Sequence, residues 1–200
     1  MSCQKRRFSV RRVTMTGVLA AIATVLMYLE FSVPFMPSFL KFDVSELPAV
    51  IAGFAFGPVE GVLVCLIKNL LKLPTTMTGG VGELANFLLG VCFVLPSALL
   101  YRFKKGRKAA LIGSLIGALL MGACSIPLNY FVTYPVYTKI LPIEAIIGMY
   151  QAIFPGVDGL LSCLIIFNAP FTFMKGVIDA AITFLIYKRI SPLLKGKQLS

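Results

Sequence analysis

The sequence predicts an all-α membrane protein with six transmembrane helices. The first evidence is compositional: 58% of the 200 residues are hydrophobic, only 14% are charged, and the mean hydropathy is +0.90. A soluble domain carries about 25% charged residues, so too few polar side chains remain to cover a water-facing surface. A spanning helix needs about 20 residues, which limits the chain to roughly five to seven spans. We therefore expect residues 1–200 to form a single integral membrane domain.

The second observation is the placement of the basic residues, which carry a net charge of +11. They form three clusters, each beside a long apolar run. Cytoplasmic loops of membrane proteins are enriched in Lys and Arg, and only an even number of spans places all three clusters on that side. Six spans with both termini in the cytoplasm satisfy this condition, and nucleic-acid binding is not expected. The clusters are Lys5, Arg6, Arg7, Arg11 and Arg12, then Arg102, Lys104, Lys105, Arg107 and Lys108, then Lys188, Arg189, Lys195 and Lys197.

The first predicted span covers residues 12–31 and is rich in small side chains. Gly17 and Ala21 are four residues apart, as are Ala20 and Thr24. Small residues at this spacing let another helix backbone approach closely. The pattern predicts a helix contact, either within this chain or with a partner. The apolar run is long for a signal peptide, so we expect it to be retained.

An apolar segment, residues 32–45, follows the first span. Its prolines break helix, yet it is rich in Phe, so we expect a loop that dips into or caps the outer face of the bundle. Ser45 is predicted to cap the next helix. That helix, residues 46–56, rises only about 16 Å, so it should begin below the outer surface.

Four further spans are predicted, with a long outer segment over residues 133–165. Lys68 and Lys72 lie near the outer end of the third span, where long cationic side chains are expected to reach the interface. Tyr130, Tyr134 and Tyr137 mark the outer interface of the fifth span. The predicted spans are residues 59–73, 83–101, 109–132 and 167–190.

Polar residues of the apolar segments collect toward the outer half of the bundle. Such groups are expensive in a bilayer and often mark function. Each of two residues also has a purely structural alternative: Lys175 as the i,i+4 ion-pair partner of Asp179, and Glu83 as an acid at a helix N-terminus. Polar groups from several elements beneath an aromatic loop are typical of a small-molecule site. The set comprises Lys41, Asp43, Glu83, Asn86, Asn129, Asn168, Thr172, Lys175 and Asp179.

The sequence offers little for catalysis. It has no His, the usual general base, and its five scattered Cys provide no zinc, haem or iron–sulfur ligand set. The glycines at 79–82 lack the GK[ST] ending of a phosphate-binding loop, so ATP hydrolysis is not expected. We predict a non-enzyme without metal or cofactor. A membrane enzyme acting on lipid and a ligand-free scaffold are the alternatives from other classes.

Four separated motifs resemble the riboflavin-specific substrate-binding component of energy-coupling factor (ECF) transporters. They are residues 39–61, residues 79–90, Asn129–Tyr130 with the tyrosine-rich segment after it, and residues 168–176. The resemblance covers nearly the whole chain. It implies high-affinity riboflavin binding from outside and uptake across the plasma membrane of a prokaryote. It also implies a transmembrane coupling subunit and two cytoplasmic ATPases as partners. The same fold with another vitamin or precursor stays open.

The resemblance also implies roles for individual residues. Lys175 matches the family pattern, in which its ammonium donates to ribityl hydroxyls or a flavin carbonyl. Thr172 stands where the family has an amide, and two replacements for that contact stay open, Thr172 itself and Asn168. The implied gating loop contains Phe39, Leu40, Lys41 and Asp43, and the other implied ligand contacts are Glu83, Asn86 and Asn129. The implied contacts with the coupling subunit are Gly17, Ala20, Ala21 and Thr24.

Overall fold

The structure is a computed structural model that describes residues 10–34, 36–37, 40–76, 78–139 and 142–194. The predicted gating residue Phe39 lies outside these ranges. So do the basic residues Lys5, Arg6, Arg7, Lys195 and Lys197.

Most of the described chain is helical. The helices are α1 (Val10–Tyr28), α2 (Glu46–Ala55), α3 (Pro58–Lys72), α4 (Val81–Phe103), α5 (Arg107–Leu128), α6 (Tyr134–Tyr137), α7 (Ile143–Gln151), α8 (Leu160–Cys163) and α9 (Ala169–Leu194). A 3₁₀ turn at Leu73–Thr75 follows α3, and π turns at Asn129–Thr133 and Leu164–Asn168 join α5 to α6 and α8 to α9. Two short strands, β1 (Phe31–Ser32) and β2 (Lys41–Phe42), lie between α1 and α2.

Within the described residues, four stretches are long and apolar enough to cross a bilayer: Val10–Tyr28, Val81–Phe103, Arg107–Tyr137 and Leu160–Ile186. These correspond to the first, fourth, fifth and sixth predicted spans. Helix α2 has 10 residues and α3 has 15, so both are shorter.

The last two long stretches extend past their predicted ends. The sequence predicts a stop at residue 132 and a start at residue 167, whereas the helical backbone runs on to Tyr137 and begins at Leu160. Pro135 and Pro170 lie at these boundaries. Each falls at a helix start just after a π turn, where the regular hydrogen-bond ladder is already interrupted and a missing N–H costs little.

The segment between α1 and α2 contains a two-stranded antiparallel ribbon, with Phe31 opposite Phe42 and Ser32 opposite Lys41. Ser45 occupies the N-cap position of α2 as predicted, but the predicted capping hydrogen bond from its hydroxyl is wrong, because the side chain makes none. The Ser45 hydroxyl instead accepts a hydrogen bond from Lys68 Nζ at 2.6 Å. The Ser45 backbone N–H donates to Asp43 Oδ1 at 2.8 Å, which bends the chain into α2.

Helix α2 lies in the centre of the bundle, and eight of its ten residues are buried. Glycines let the neighbouring helices approach it. A Cβ added to Gly61 of α3 lies only 2.9 Å from the Ala49 carbonyl oxygen and 2.7 Å from Val94 Cγ1. This close contact explains how a helix too short to cross alone is held among α1, α3, α4 and α9.

A second apolar cluster lies at the end of the bundle where α6 and α7 meet the α8 segment. Its largest fully buried side chains are those of Tyr134, Tyr150, Ile146 and Leu164. Part of the predicted outer segment, residues 133–165, therefore forms a packed helix, α7.

Replacing Gly61 with Ala should destabilise the fold, because the added methyl group meets the α2 backbone, which cannot move aside as a side chain can. Overpacking of this kind costs about 1–3 kcal/mol. Thermal unfolding in detergent should show a lower midpoint than for the wild type.

Gly148 in α7 is the matched control, since a Cβ there meets nothing within 4 Å. Gly148→Ala should unfold within a degree or so of the wild type, as expected for an unstrained surface change. Equal midpoints for Gly61→Ala and Gly148→Ala contradict the close approach of α2 and α3.

Candidate functional site

A cavity of about 510 Å³ lies at the end of the bundle opposite the basic segment 102–108. Its volume is in the range of about 300–1,000 Å³ that is typical of small-molecule pockets. The walls come from the end of α1, the ribbon, the end of α3, the start of α4, α6 and α9. The lining residues are Met27, Tyr28, Glu30, Lys41, Asp43, Lys72, Thr75, Thr78, Gly82, Glu83, Asn86, Tyr137 and Lys175.

An ion pair joins the inter-helix segment to α9 at this cavity. Lys175 Nζ donates to Asp43 Oδ2 at 2.8 Å, and both residues are buried. The alternative interpretation, a Lys175–Asp179 ion pair, is therefore wrong. Both carboxylate oxygens of Asp179 are buried and lack a hydrogen-bond partner among the described residues. The Lys175 ammonium donates instead to Asp43, which is 132 residues away in sequence.

A second ion pair lies beside the first. Lys68 Nζ donates to Glu46 Oε1 at 2.6 Å, and neither side chain is exposed. The prediction that Lys68 reaches the interface is thus wrong. Cys65 donates to the other Glu46 oxygen at 3.5 Å, which leaves both oxygens of that carboxylate hydrogen-bonded. Because the ammonium also donates to Ser45, this pair ties α3 to the start of α2.

The opening of the cavity carries a carboxylate held between two cations. Glu30 accepts from Lys41 Nζ at 2.8 Å and from Lys72 Nζ. Burial alone raises the pKa of Glu30, but the hydrogen bonds and charges of Lys41 and Lys72 outweigh it and lower the pKa. Glu30 thereby connects the end of α1 to β2 and to the end of α3.

The pKa of Asp43 follows the same balance more strongly. Desolvation raises it, but the charges of Lys175 and Lys68, with hydrogen bonds from Lys175 and Ser45, hold it well below its usual range. Asp43 is therefore ionised throughout the neutral range.

The opposite wall is polar but uncharged except for Glu83. Its Oε2 accepts from the Thr76 hydroxyl at 2.8 Å and from the Thr78 hydroxyl at 3.2 Å. The preceding turn contains Gly80 at φ 87°, a left-handed conformation that favours glycine. This turn places the threonine hydroxyls over the start of α4, beside Asn86 and Tyr137.

The structure brings five of the predicted ligand residues together around the cavity: Lys41, Asp43, Glu83, Asn86 and Lys175. Leu40, Asn129, Asn168 and Thr172 do not line it. Leu40 packs against the second apolar cluster, and Asn168 accepts from the Tyr150 hydroxyl at 2.6 Å. Sequence reasoning missed Tyr28, Glu30, Lys72, Thr75, Thr78 and Tyr137 as lining residues. Their position at the outer ends of helices was the available signal.

The small residues of α1 divide between two faces. Gly17 and Ala21 are exposed, whereas Ala20 is buried within the chain. Thr24 is half-buried, and its hydroxyl donates to the Ala20 carbonyl at 2.8 Å. Gly17 and Ala21 thus leave an open strip on the outside of α1.

The cavity is suited to reversible binding. Ammonium and amide donors, carboxylate acceptors and hydroxyl groups surround it, with tyrosine rings beside them. A second cavity of about 360 Å³ near Tyr130 and Leu160 has no charged residue among its described lining. The described residues contain no group of three or more His, Cys, Asp or Glu side chains placed to hold a metal ion.

Comparisons of the sequence and of the structure with known proteins indicate the same family. Residues 11–187 match the family model of the ECF transporter substrate-specific component. The chain is 35% identical to the riboflavin transporter RibU of Staphylococcus aureus, with 92% of this chain and 93% of that protein covered. It is 32% identical to the riboflavin transporter FmnP of Bacillus subtilis, covering 94% and 96%.

A solved structure described as the S component of a bacterial ECF transporter superimposes with a TM-score of 0.72. Its sequence identity is 35%, and the match covers 92% of this chain and 98% of that one.

Replacing Asp43 with Asn should destabilise the protein, because it leaves the buried Lys175 ammonium without a carboxylate. Removing one partner of a buried pair costs about 3–5 kcal/mol. The measurement is the free energy of unfolding in mixed detergent. The exposed Lys41→Gln change is the control, since an exposed pair contributes only about 0–1 kcal/mol.

The stability difference between wild type and Asp43→Asn should also depend on pH in one direction. The folded-state pKa of Asp43 is lowered, so its contribution is complete above the unfolded pKa of about 3.9 and declines as the pH falls below it. A difference that stays constant from neutral pH down to about pH 2 contradicts the ion pair.

Proposed function

The chain belongs to the family of substrate-specific components of ECF transporters, and from this premise we propose that it binds riboflavin in the outer cavity and takes it up as the substrate-binding subunit. It is a transport subunit and not an enzyme. The observation that carries the proposal is the cavity with Lys175 and Asp43 in its lining and a ring of hydrogen-bonding groups above them. Relatives that cover most of the chain are riboflavin transporters.

The chemistry of the lining matches both halves of riboflavin. The flavin ring is flat and carries carbonyl acceptors, which suit the Lys175 ammonium and the faces of Tyr28 and Tyr137. The ribityl chain carries hydroxyls, which suit Glu83 and the threonines above it. Both tyrosines and Lys175 line the same cavity, so one ligand reaches them together. Contacts to Phe39, Leu40, Asn129, Asn168 and Thr172 stay in the proposal. Of these, the described residues Leu40, Asn129, Asn168 and Thr172 lie outside the lining of the present cavity, so their contacts require a rearrangement when the ligand binds.

Reaching Lys175 brings the ligand into competition with Asp43. The segment that contains Asp43 also forms β2 and the Lys41–Glu30 pair at the opening. A ligand that takes over the ammonium therefore weakens the hold of α9 on this segment. We propose that the segment between α1 and α2 gates the cavity in this way.

The proposed topology has six spans, with α2 and α3 crossing alongside the four long stretches. Both termini and the segment 102–108 lie in the cytoplasm of a prokaryotic cell, and the cavity opens to the outside. The energy for uptake comes from a transmembrane coupling subunit and two ATPase subunits. Support for this arrangement is the basic clustering and the family membership.

Titration of purified, flavin-free protein with riboflavin should quench flavin fluorescence, because the ring enters a cavity with tyrosine walls. Lys175→Met should weaken binding by about 1.5–3 kcal/mol, the usual contribution of a hydrogen bond to a charged group. Lys139→Met is the control, since Lys139 is exposed near the outer end of the bundle and does not line the cavity.

Lys72→Met provides a second test if Lys175→Met unfolds, because Lys72 also lines the cavity but is not fully buried. Unchanged affinity in folded forms of both variants excludes the cavity as the riboflavin site. A thermal-shift screen of other vitamins on the same protein distinguishes riboflavin from another substrate of the family.

The exposed strip on α1 is proposed to contact the coupling subunit, and Ala21→Leu should block that contact by filling it. Co-purification with the coupling subunit and ATPases should be lost while riboflavin binding is kept. Ala123→Leu makes the same change at an exposed position of α5 and should leave the complex intact. If Ala21→Leu still co-purifies as the control does, this face is not the coupling surface.

A further inference from the structure

Another cavity, polar and about 300 Å³ in volume, lies at the opposite end of the bundle from the proposed riboflavin site. It is distinct from the cavity near Tyr130 and Leu160. It is formed by the start of α1, the α2–α3 turn, the end of α4 and the residues just after it. Arg12, Arg102 and Lys105 line it together with apolar and aromatic residues. Three cations from two separate segments of the chain therefore converge on one concave surface.

The Arg12 guanidinium is held in position by the turn between α2 and α3. Its Nη2 donates to the Phe56 carbonyl oxygen at 3.0 Å, and Nη1 lies 3.6 Å from Glu60 Oε1. A guanidinium has five N–H donors in a fixed plane, so donors remain for another acceptor. Because the Arg12 side chain is already fixed, less conformational entropy is lost when a ligand binds to it.

The charge around the cavity is unbalanced. Among the described residues that line it there are three cations and no carboxylate, and Glu60 beside Arg12 supplies one negative charge. The cavity therefore carries a net positive charge, which favours the binding of an anion there. A phosphate group matches both the charge and the hydrogen-bonding geometry of Arg.

The inner wall of the cavity is tightly packed. Phe54 and Tyr101 lie with their ring centroids 4.5 Å apart and are only 5% and 3% exposed, so they close the cavity and leave its cations as the groups that a ligand contacts. The cavity lies at the basic end of a membrane-spanning chain, where anionic lipids gather. This position favours the headgroup of a neighbouring lipid over a free anion as the occupant.

We propose that this cavity binds the phosphate headgroup of one anionic glycerophospholipid. Arg12, Arg102 and Lys105 contact the phosphate. The site is separate from the riboflavin cavity and does not depend on the function proposed for that cavity. It gives the bundle a lipid ligand beside the turn that joins α2 to α3.

The test uses delipidated full-length protein titrated with phosphatidylglycerol or phosphatidylcholine and observed by native mass spectrometry. The wild type should retain one phosphatidylglycerol and little phosphatidylcholine. Each cation near an anionic lipid contributes about fivefold in affinity, so the double variant Arg12→Gln and Lys105→Gln should bind phosphatidylglycerol about 25-fold more weakly.

The chain offers a closely matched control, because Arg11 and Lys104 are neighbours of these two residues and do not line the cavity. Arg11→Gln with Lys104→Gln removes the same charge from the same two segments and should keep the bound lipid. Thermal unfolding checks that both double variants are folded. If Arg12→Gln with Lys105→Gln does not fold, Arg102→Gln alone takes its place and should bind about fivefold more weakly.

Three outcomes overturn the proposal. Equal loss of lipid in the two double variants assigns the effect to general basic charge. Displacement of the lipid by an excess of inorganic phosphate assigns the cavity to a free anion. Full lipid retention in the Arg12 and Lys105 variant, with loss of the transporter partners, assigns it to an acidic protein segment.

Discussion

The buried ion pair between Lys175 and Asp43 is the interaction on which the outer half of the structure depends. Charges in an apolar interior must be paired and hydrogen-bonded, because isolated ones are too costly. Lys175 belongs to α9 and Asp43 to the segment before α2, so pairing fixes this segment across the end of the bundle. The adjacent Lys68–Glu46 pair fixes α2 against α3 in the same region. The outer cavity is the space that these two pairs leave above them.

Under the proposed function, the same groups serve both stability and binding. Lys175 holds the segment through Asp43 and also lines the cavity. Binding energy that a ligand gains at this ammonium is then partly offset by the contact that Asp43 loses. At the opening, Glu30 joins three elements through Lys41 and Lys72, so the entrance is closed by exposed and half-buried ion pairs. Such pairs are individually weak, which suits an entrance that must open.

The sequence predicted the long helices because an apolar run of spanning length is a local signal. The sequence also predicted that the polar site and the basic clusters lie at opposite ends of the bundle, because the basic clusters mark one end. The ion-pair partner that the sequence suggested for Lys175 is wrong. An i,i+4 spacing identifies only neighbours on the same helix, whereas Asp43 is 132 residues away. Asn168 shows a related limit. Its depth in an apolar segment indicated a ligand contact, but its side-chain amide is hydrogen-bonded to Tyr150 and Tyr134.

An experimentally determined structure of the full chain with riboflavin bound tests the proposed site most directly. Flavin density should lie in the outer cavity, with the ring within hydrogen-bonding distance of Lys175 and the ribityl chain toward Glu83. The Lys175–Asp43 distance should be longer than 2.8 Å. Flavin density in the Tyr130–Leu160 cavity or at the basic end, with the Lys175–Asp43 pair unchanged, would contradict it.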